Sequence, residues 1–371
     1  MYPGQMRTGK SKRMQQPSRG LLFIGGPSDA LPGIARAKAL GYRVFVTDRS
    51  PDAPAIKWAK QYADGWGVAD IYDFAETIKV AKEWEFDGCL SIGCDIGPCV
   101  SLVSKYFRLP HVPYGISRLS WNKVELKQVL SKAGVSVPRT ADFVVKPPDS
   151  RGSRGVSIVS ASNLWGVEWE TAKRESPTGR VMCEEYIQGP GISAEAIVWD
   201  SSIVFVGCTD RIYSISLTVE EGGRGPSQFD GPWLKELTSR VVQAIKLKSG
   251  SLKLDIILRD GDITQPVILE SALGRLGGGR NGDMFLSLSY NVDFLAMAFA
   301  VYCGQDPYPL LDKKLLKSKL AQNGYHVASR YTMNGQPTSN KERGQVFFGL
   351  GKTKNEAERK VSCWLKRRNS V

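Results

Sequence analysis

Two apolar segments late in the chain each deliver a carboxylate, and together they constrain the fold more than any other feature. Val267-Ile268-Leu269-Glu270 reads as a buried strand that hands Glu270, then Arg275, to the glycine-rich turn of Gly277-Gly278-Gly279. Upstream, Leu252-Lys253-Leu254-Asp255-Ile256-Ile257-Leu258 is a second apolar strand with one acid. Arg259-Asp260-Gly261-Asp262 between them has turn chemistry, so the pair reads as a hairpin. Two acids that meet across a hairpin suit a hard cation such as Mg²⁺, which favours oxygen ligands and also holds substrate phosphates. Arg275 adds a planar fork suited to phosphate or carboxylate. The pattern points to phosphoryl chemistry.

Composition narrows the alternatives. The chain has 371 residues, 42% hydrophobic and 23% charged, which fits a globular protein of two or three domains. No apolar run approaches the ~18 residues that span a membrane. Residues 1–19 are basic and polar without an apolar centre, so a disordered tail is expected there rather than a secretory signal. Seven cysteines without zinc-ligand spacing imply reduced thiols and a cytoplasmic setting. With only His111 and His326, imidazole catalysis is disfavoured. The net charge of +13 concentrates at the two ends, in residues 1–19 and 352–371. That pattern allows weak polyanion contact through the termini, without the interleaved aromatics of a nucleic-acid platform.

Gly20 to Asp48 reads as strand, turn, helix, strand, a βαβ unit, and further units follow to Phe107. A parallel sheet covered by helices is expected. The Gly25-Gly26 turn lacks a dinucleotide fingerprint, and Asp48 could hold a ribose or simply cap its strand. Beyond Pro138, a strand ends at Lys146 and runs into the loop Ser150 to Gly155. Such a loop exposes backbone N–H groups to a phosphate. Val181 to Ile187 is a strand carrying adjacent acids that face opposite ways. Ser193 to Trp199 and Ile203 to Gly207 form a hairpin, and a helix from Trp233 to Lys246 precedes the acidic pair.

Lys-Pro on a strand, Ser-Arg-Gly-Val, Glu-Glu-Tyr-Ile, Ser-x-Glu, a strand acid and then Glu…Arg-Leu-Gly-Gly-Gly, in that order, resemble the ATP-grasp superfamily. The closest likeness is to its carbamoyl-phosphate-synthase and biotin-carboxylase branch and to carboxylate–amine (amino-acid) ligases. The resemblance spans roughly Gly20 to Pro307. It implies an α/β pre-ATP-grasp domain (20–115), then a trimmed small lobe (116–190) and a large lobe with the metal site (191–312). An α+β appendage (313–371) follows.

The resemblance assigns Lys123 and Lys146 to the nucleotide phosphates, and Ser153, Arg154 and Gly155 to a loop that closes over them. Glu184 would meet the adenine amino group, with Glu185, Tyr186 and Ile187 as the hinge and Glu195 on the ribose. Asp255 and Glu270 would bind Mg²⁺, with Mn²⁺ as a substitute. Arg275 would steady the transferred phosphate, and Arg211 would contact substrate or the terminal phosphate. The implied reaction joins a carboxylate to an amine, amino acids among the candidates, at the expense of ATP. A non-catalytic nucleotide-binding scaffold is the alternative, and a homodimer is common in such families.

Overall fold

The computed structural model describes residues 19–137, 144–159, 166–213, 219–278, 280–311, 324–333 and 343–368. Nearly all of the expected basic tail, the segment 138–143 where the lobe was expected to be trimmed, and Gly279 lie outside these residues.

Strands β1 (Gly20–Ile24), β2 (Arg43–Asp48), β3 (Gly65–Val68) and β4 (Gly88–Leu90) form a parallel sheet in the order β3-β2-β1-β4. Leu21, Leu22, Phe23 and Ile24 are all buried, because apolar side chains cover both faces of a parallel sheet. The chain leaves β1 towards β2 on one side, while β4 lies on the other. The C-terminal ends of β1 and β4 therefore flank the point where strand order reverses, the usual ligand crevice of open α/β sheets. The loop after β1 carries Asp29, and the loop after β4 carries Asp95. Asp48 is committed to its own loop: its carboxylate accepts from Gly26 N at 2.8 Å and Ser50 N at 3.1 Å.

A small antiparallel sheet follows, β5 (Val144–Lys146), β6 (Ser157–Ile158) and β7 (Met182–Glu184), in the order β6-β5-β7. The rest of the chain builds one seven-stranded sheet. Its strands are β8 (Gly191–Trp199), β9 (Ser202–Tyr213), β10 (Glu220–Gly225), β11 (Gly250–Leu258), β12 (Pro266–Leu273), β13 (His326–Met333) and β14 (Arg343–Gly351). Their order is β12-β11-β8-β9-β10-β13-β14. Both hairpins read from the sequence are present. The C-terminal strands, expected as an appendage, extend this same sheet, with Gly223 of β10 opposite Ser329 of β13. The helix Lys354–Arg368 covers them through Ala357 and Val361.

Alternation along the strands gives this sheet two unlike faces. On one, Leu252, Leu254 and Ile256 of β11 and Ile192, Ala194 and Ala196 of β8 pack against the helices Pro232–Ile245 and Lys123–Lys132. The other face is polar around Ser193, Glu195, Lys253 and Asp255. It becomes apolar at Ile197, where it shares a core with the helix Phe294–Tyr302. All nine residues of that helix are buried, and Phe299 meets Phe23 of β1 edge-on at 6.0 Å. Burial of each such ring contributes about 1.5–3 kcal/mol. This apolar wedge fixes the parallel sheet against the large one.

No helix among the described residues is long and apolar enough to cross a membrane.

Candidate active site

The polar face is built in rows by strand register. Glu270, Asp255, Ser193 and Thr209 lie side by side across β12, β11, β8 and β9. Two residues along, Lys253 stands beside Glu195 in the next row. The acidic pair read from the sequence is thus a directly opposed cross-strand pair, whose side chains stand close together.

Cations surround this pair. Lys253 Nζ lies 2.6 Å from Asp255 Oδ1, and Arg211 Nη1 lies 3.2 Å from Asp255 Oδ2. Arg211 also reaches Glu220 Oε2 at 3.2 Å. Burial works against the Arg211 charge, but Asp255 and Glu220 outweigh it and hold its proton more tightly than usual. Lys123 Nζ is 3.4 Å from Glu270 Oε2. Burial would raise the Glu270 carboxyl, yet Lys123 and Lys253 overcome this and hold it well below the usual carboxylate range.

The donor set fits one hard cation shared with phosphate. Two carboxylates are available, and among the described residues no group of three or more Asp, Glu, His or Cys forms a complete metal cage. Mg²⁺ is commonly held this way, by one or two carboxylates with substrate oxygens and waters completing the octahedron. The Ser193 and Ser271 hydroxyls are buried without a hydrogen-bond partner and line the same cavity, leaving polar groups for a ligand to satisfy.

A second cluster lies between the three-stranded sheet and the helix Lys123–Lys132. Glu184 is 3% exposed and pairs with Lys146 at 2.5 Å and with Lys127. One carboxylate serves two buried lysines. Burial, then Lys146 and Lys123, push Lys127 down to about 5. Burial and Lys123 push Lys146 down to about 8. Both lysines therefore give up their protons more readily than a free lysine, Lys127 the more so. Glu184, which the resemblance placed against the adenine amino group, is turned to these lysines. Glu185 turns the other way, to Arg259 at 2.6 Å.

Two cavities meet on the polar face. The smaller, about 210 Å³, is lined by Lys146, Ser153, Glu184, Glu185, Tyr186 and Ile187. The larger, about 900 Å³, is lined by Asp29, Asp95, Lys253, Arg275, Asn281 and Tyr331 among others. Lys123, Arg154, Arg211, Asp255 and Glu270 line both.

The loop from Ser150 to Gly155 runs along the junction. Lys123 Nζ donates to Ser150 O at 2.7 Å, and the Arg151 guanidinium stacks 5.1 Å over the Tyr72 ring of the parallel domain. Gly155 takes φ +66°, and a Cβ there would meet Ala172 Cα at 3.0 Å, so glycine is required by conformation and by space. Gly155 itself lines neither cavity.

Arg275 forms an ion pair with Asp95, which fixes the arginine from the parallel domain. The backbone supports this: Leu276 N donates to Ser91 O at 3.1 Å, and Trp121 Nε1 donates to Asp95 O at 2.8 Å. Glu195 is not brought to the small cavity where a ribose contact was expected. It is buried, accepting from Asn281 Nδ2 at 2.8 Å and Gly277 N at 3.4 Å. Burial pushes its carboxyl up, against the pull of Lys253.

Four residues of this site escaped the sequence reading: Lys127, Lys253, Asp29 and Asp95. Lys127 stands one helical turn after Lys123, and Lys253 stands two before Asp255, so spacing carried a signal for both. The two aspartates lie on loops that only the sheet order brings together.

The matching family description is the ATP-grasp domain, over residues 120–271. No curated protein matches the chain. Among solved structures, it is similar to phosphoribosylglycinamide synthetase from Anaerococcus prevotii, with 17% identity and a TM-score of 0.72 over 94% of this chain and 98% of that one. An L-amino acid ligase from Bacillus licheniformis is similar at 16% identity and a TM-score of 0.67, covering 85% of this chain and 81% of that one. Biotin carboxylase from Campylobacter jejuni is similar at 16% identity and a TM-score of 0.65, covering 84% of this chain and 75% of that one. At these identities the likeness is one of fold.

Proposed function

We propose that the chain, whose residues 120–271 match the ATP-grasp domain, is an ATP-dependent carboxylate–amine ligase that releases ADP and phosphate. The observation that carries this reading is the meeting of two cavities at Lys123, Arg211, Asp255 and Glu270. The smaller cavity suits a nucleotide, with Tyr186 and Ile187 beside the base and Lys146 on the phosphates. The larger suits the reactants. The terminal phosphate then lies at the junction, in reach of a carboxylate on the other side.

The chemistry needs positioning and charge neutralisation more than covalent help. Asp255 and Glu270 would hold Mg²⁺, which when bound neutralises phosphate charge. Lys123 and Lys146 orient the phosphates. A substrate carboxylate oxygen attacks the terminal phosphorus, and ADP leaves. Arg275 and Arg211 face the resulting acyl phosphate from the large cavity. An amine nitrogen then attacks the acyl carbon, phosphate departs and the nitrogen loses its proton. The Ser150–Gly155 loop and its Arg151–Tyr72 contact exclude water during this sequence.

The test is ADP and phosphate release from ATP and Mg²⁺ with pools of amino acids and small carboxylic acids. Turnover that depends on both substrates and disappears in Lys146→Ala and Glu270→Ala is expected. AMP and pyrophosphate as products would rule the mechanism out.

A further inference from the structure

Lys253 does not resemble an ordinary strand lysine. Its side chain is 13% exposed, on the cavity face of β11, with its ammonium 2.6 Å from Asp255 Oδ1. Glu195 is its neighbour on β8, and Glu270 stands opposite Asp255 in the adjoining row. One ammonium thus sits among three acids. It lines the large cavity and not the small one, so it stands on the reactant side of Asp255.

This placement bears on how many divalent ions the site can hold. Phosphoryl-transfer sites that use two metals hold them about 3.5–4 Å apart, sharing ligands between them. Here both oxygens of Asp255 are engaged, Oδ1 by Lys253 and Oδ2 by Arg211. Arg211 has a second partner in Glu220 and can yield Oδ2 to an incoming ion. Among the described residues, the ion pair of Lys253 is with Asp255.

We propose, resting on the ligase reading above, that Lys253 is a built-in cation in the place of a second metal. The site therefore loads one divalent ion per nucleotide. Lys253 keeps the reactant side of Asp255 positive, where the substrate carboxylate must approach a negatively charged phosphate. The fixed ammonium needs no loading from solution and holds its position through the strand.

The experiment counts Mn²⁺ bound to the full chain with ADP by electron paramagnetic resonance, with bound nucleotide measured on the same samples. Wild type is expected to saturate at one Mn²⁺ per bound nucleotide. Lys253→Met is expected to admit a second, and Lys253→Arg to remain at one. Lys253→Gln supplies another neutral replacement if the Met variant fails to fold. Two Mn²⁺ per nucleotide in wild type, or one in both neutral variants, would overturn the proposal. A chain that retains no nucleotide overturns the ligase reading itself, a result separate from the ion count.

Discussion

Lys146 Nζ lies 2.5 Å from Glu184 Oε2, while Lys127 holds the other oxygen of the same buried carboxylate. With Lys146 lowered to about 8 by burial and Lys123, its charge is sensitive to mild alkali. A lysine is charged below its pKa, so phosphate affinity should be full near pH 7 and fall as pH climbs past about 8. The expected limit is about tenfold per pH unit for one required proton. Calorimetric titration of ATP between pH 6.5 and 9.5 would show it. A flat profile would remove Lys146 from phosphate binding.

Lys127→Met should stabilise the chain. The folded lysine is lowered to about 5, while the unfolded one stays charged up to about 10.4. Across that window the unfolded state binds the extra proton, so the wild-type lysine costs stability, and more as pH falls. Met also leaves Glu184 with one lysine instead of two, which offsets part of the gain. Urea unfolding at pH 6 and pH 9 should show the larger gain at pH 6.

Arg211→Met removes a guanidinium shared by Asp255 and Glu220. Breaking a buried pair from one side costs about 3–5 kcal/mol. Chemical denaturation should register that loss. A change under about 1 kcal/mol would mean the pair is solvated in practice.

Arg275→Lys should lower kcat by about 10²-fold with little change in ATP affinity, since a donor facing the transferred group is lost at the transition state. Asp95→Asn releases the same arginine from its tether and should give a smaller loss of the same kind. An unchanged kcat in Arg275→Lys would exclude this role.

Gly277→Ala tests the support under the site. A Cβ there would meet Glu195 Oε1 at 2.1 Å, displacing a carboxylate that Asn281 holds at 2.8 Å. Overpacking of this kind costs about 1–3 kcal/mol. A thermal unfolding midpoint equal to wild type would show that Glu195 can move freely.

Much of the fold was legible because its strands announce themselves by period. Leu252 to Ile256 alternates apolar and polar positions, and the same alternation puts Lys253 and Asp255 on one face. Asp255 and Glu270 were found as a pair because a short turn forces their strands together. Glu184 and Glu195 were harder, since their type is visible and their neighbours are not. Glu184 is claimed by a lysine one turn beyond Lys123, and Glu195 by Asn281 from a distant segment. Asp29 and Asp95 depend on β4 lying beside β1, a non-local pairing that no local pattern records. The C-terminal strands were read correctly as strands, but their place at the sheet edge follows from β10, a glycine-rich segment with little strand propensity.

That edge has a consequence for the order in which the protein matures during synthesis. Ser329 and Tyr331 of β13 line the large cavity, whereas the small cavity draws on nothing later than Glu270. A growing chain can therefore assemble the wall of the small cavity, where nucleotide is proposed to bind, while part of the large cavity's wall is still being translated. Nucleotide bound at that stage would act as a ligand for a partly made protein and favour its early fold by mass action. The wall of the large cavity is complete only when β13 pairs with β10.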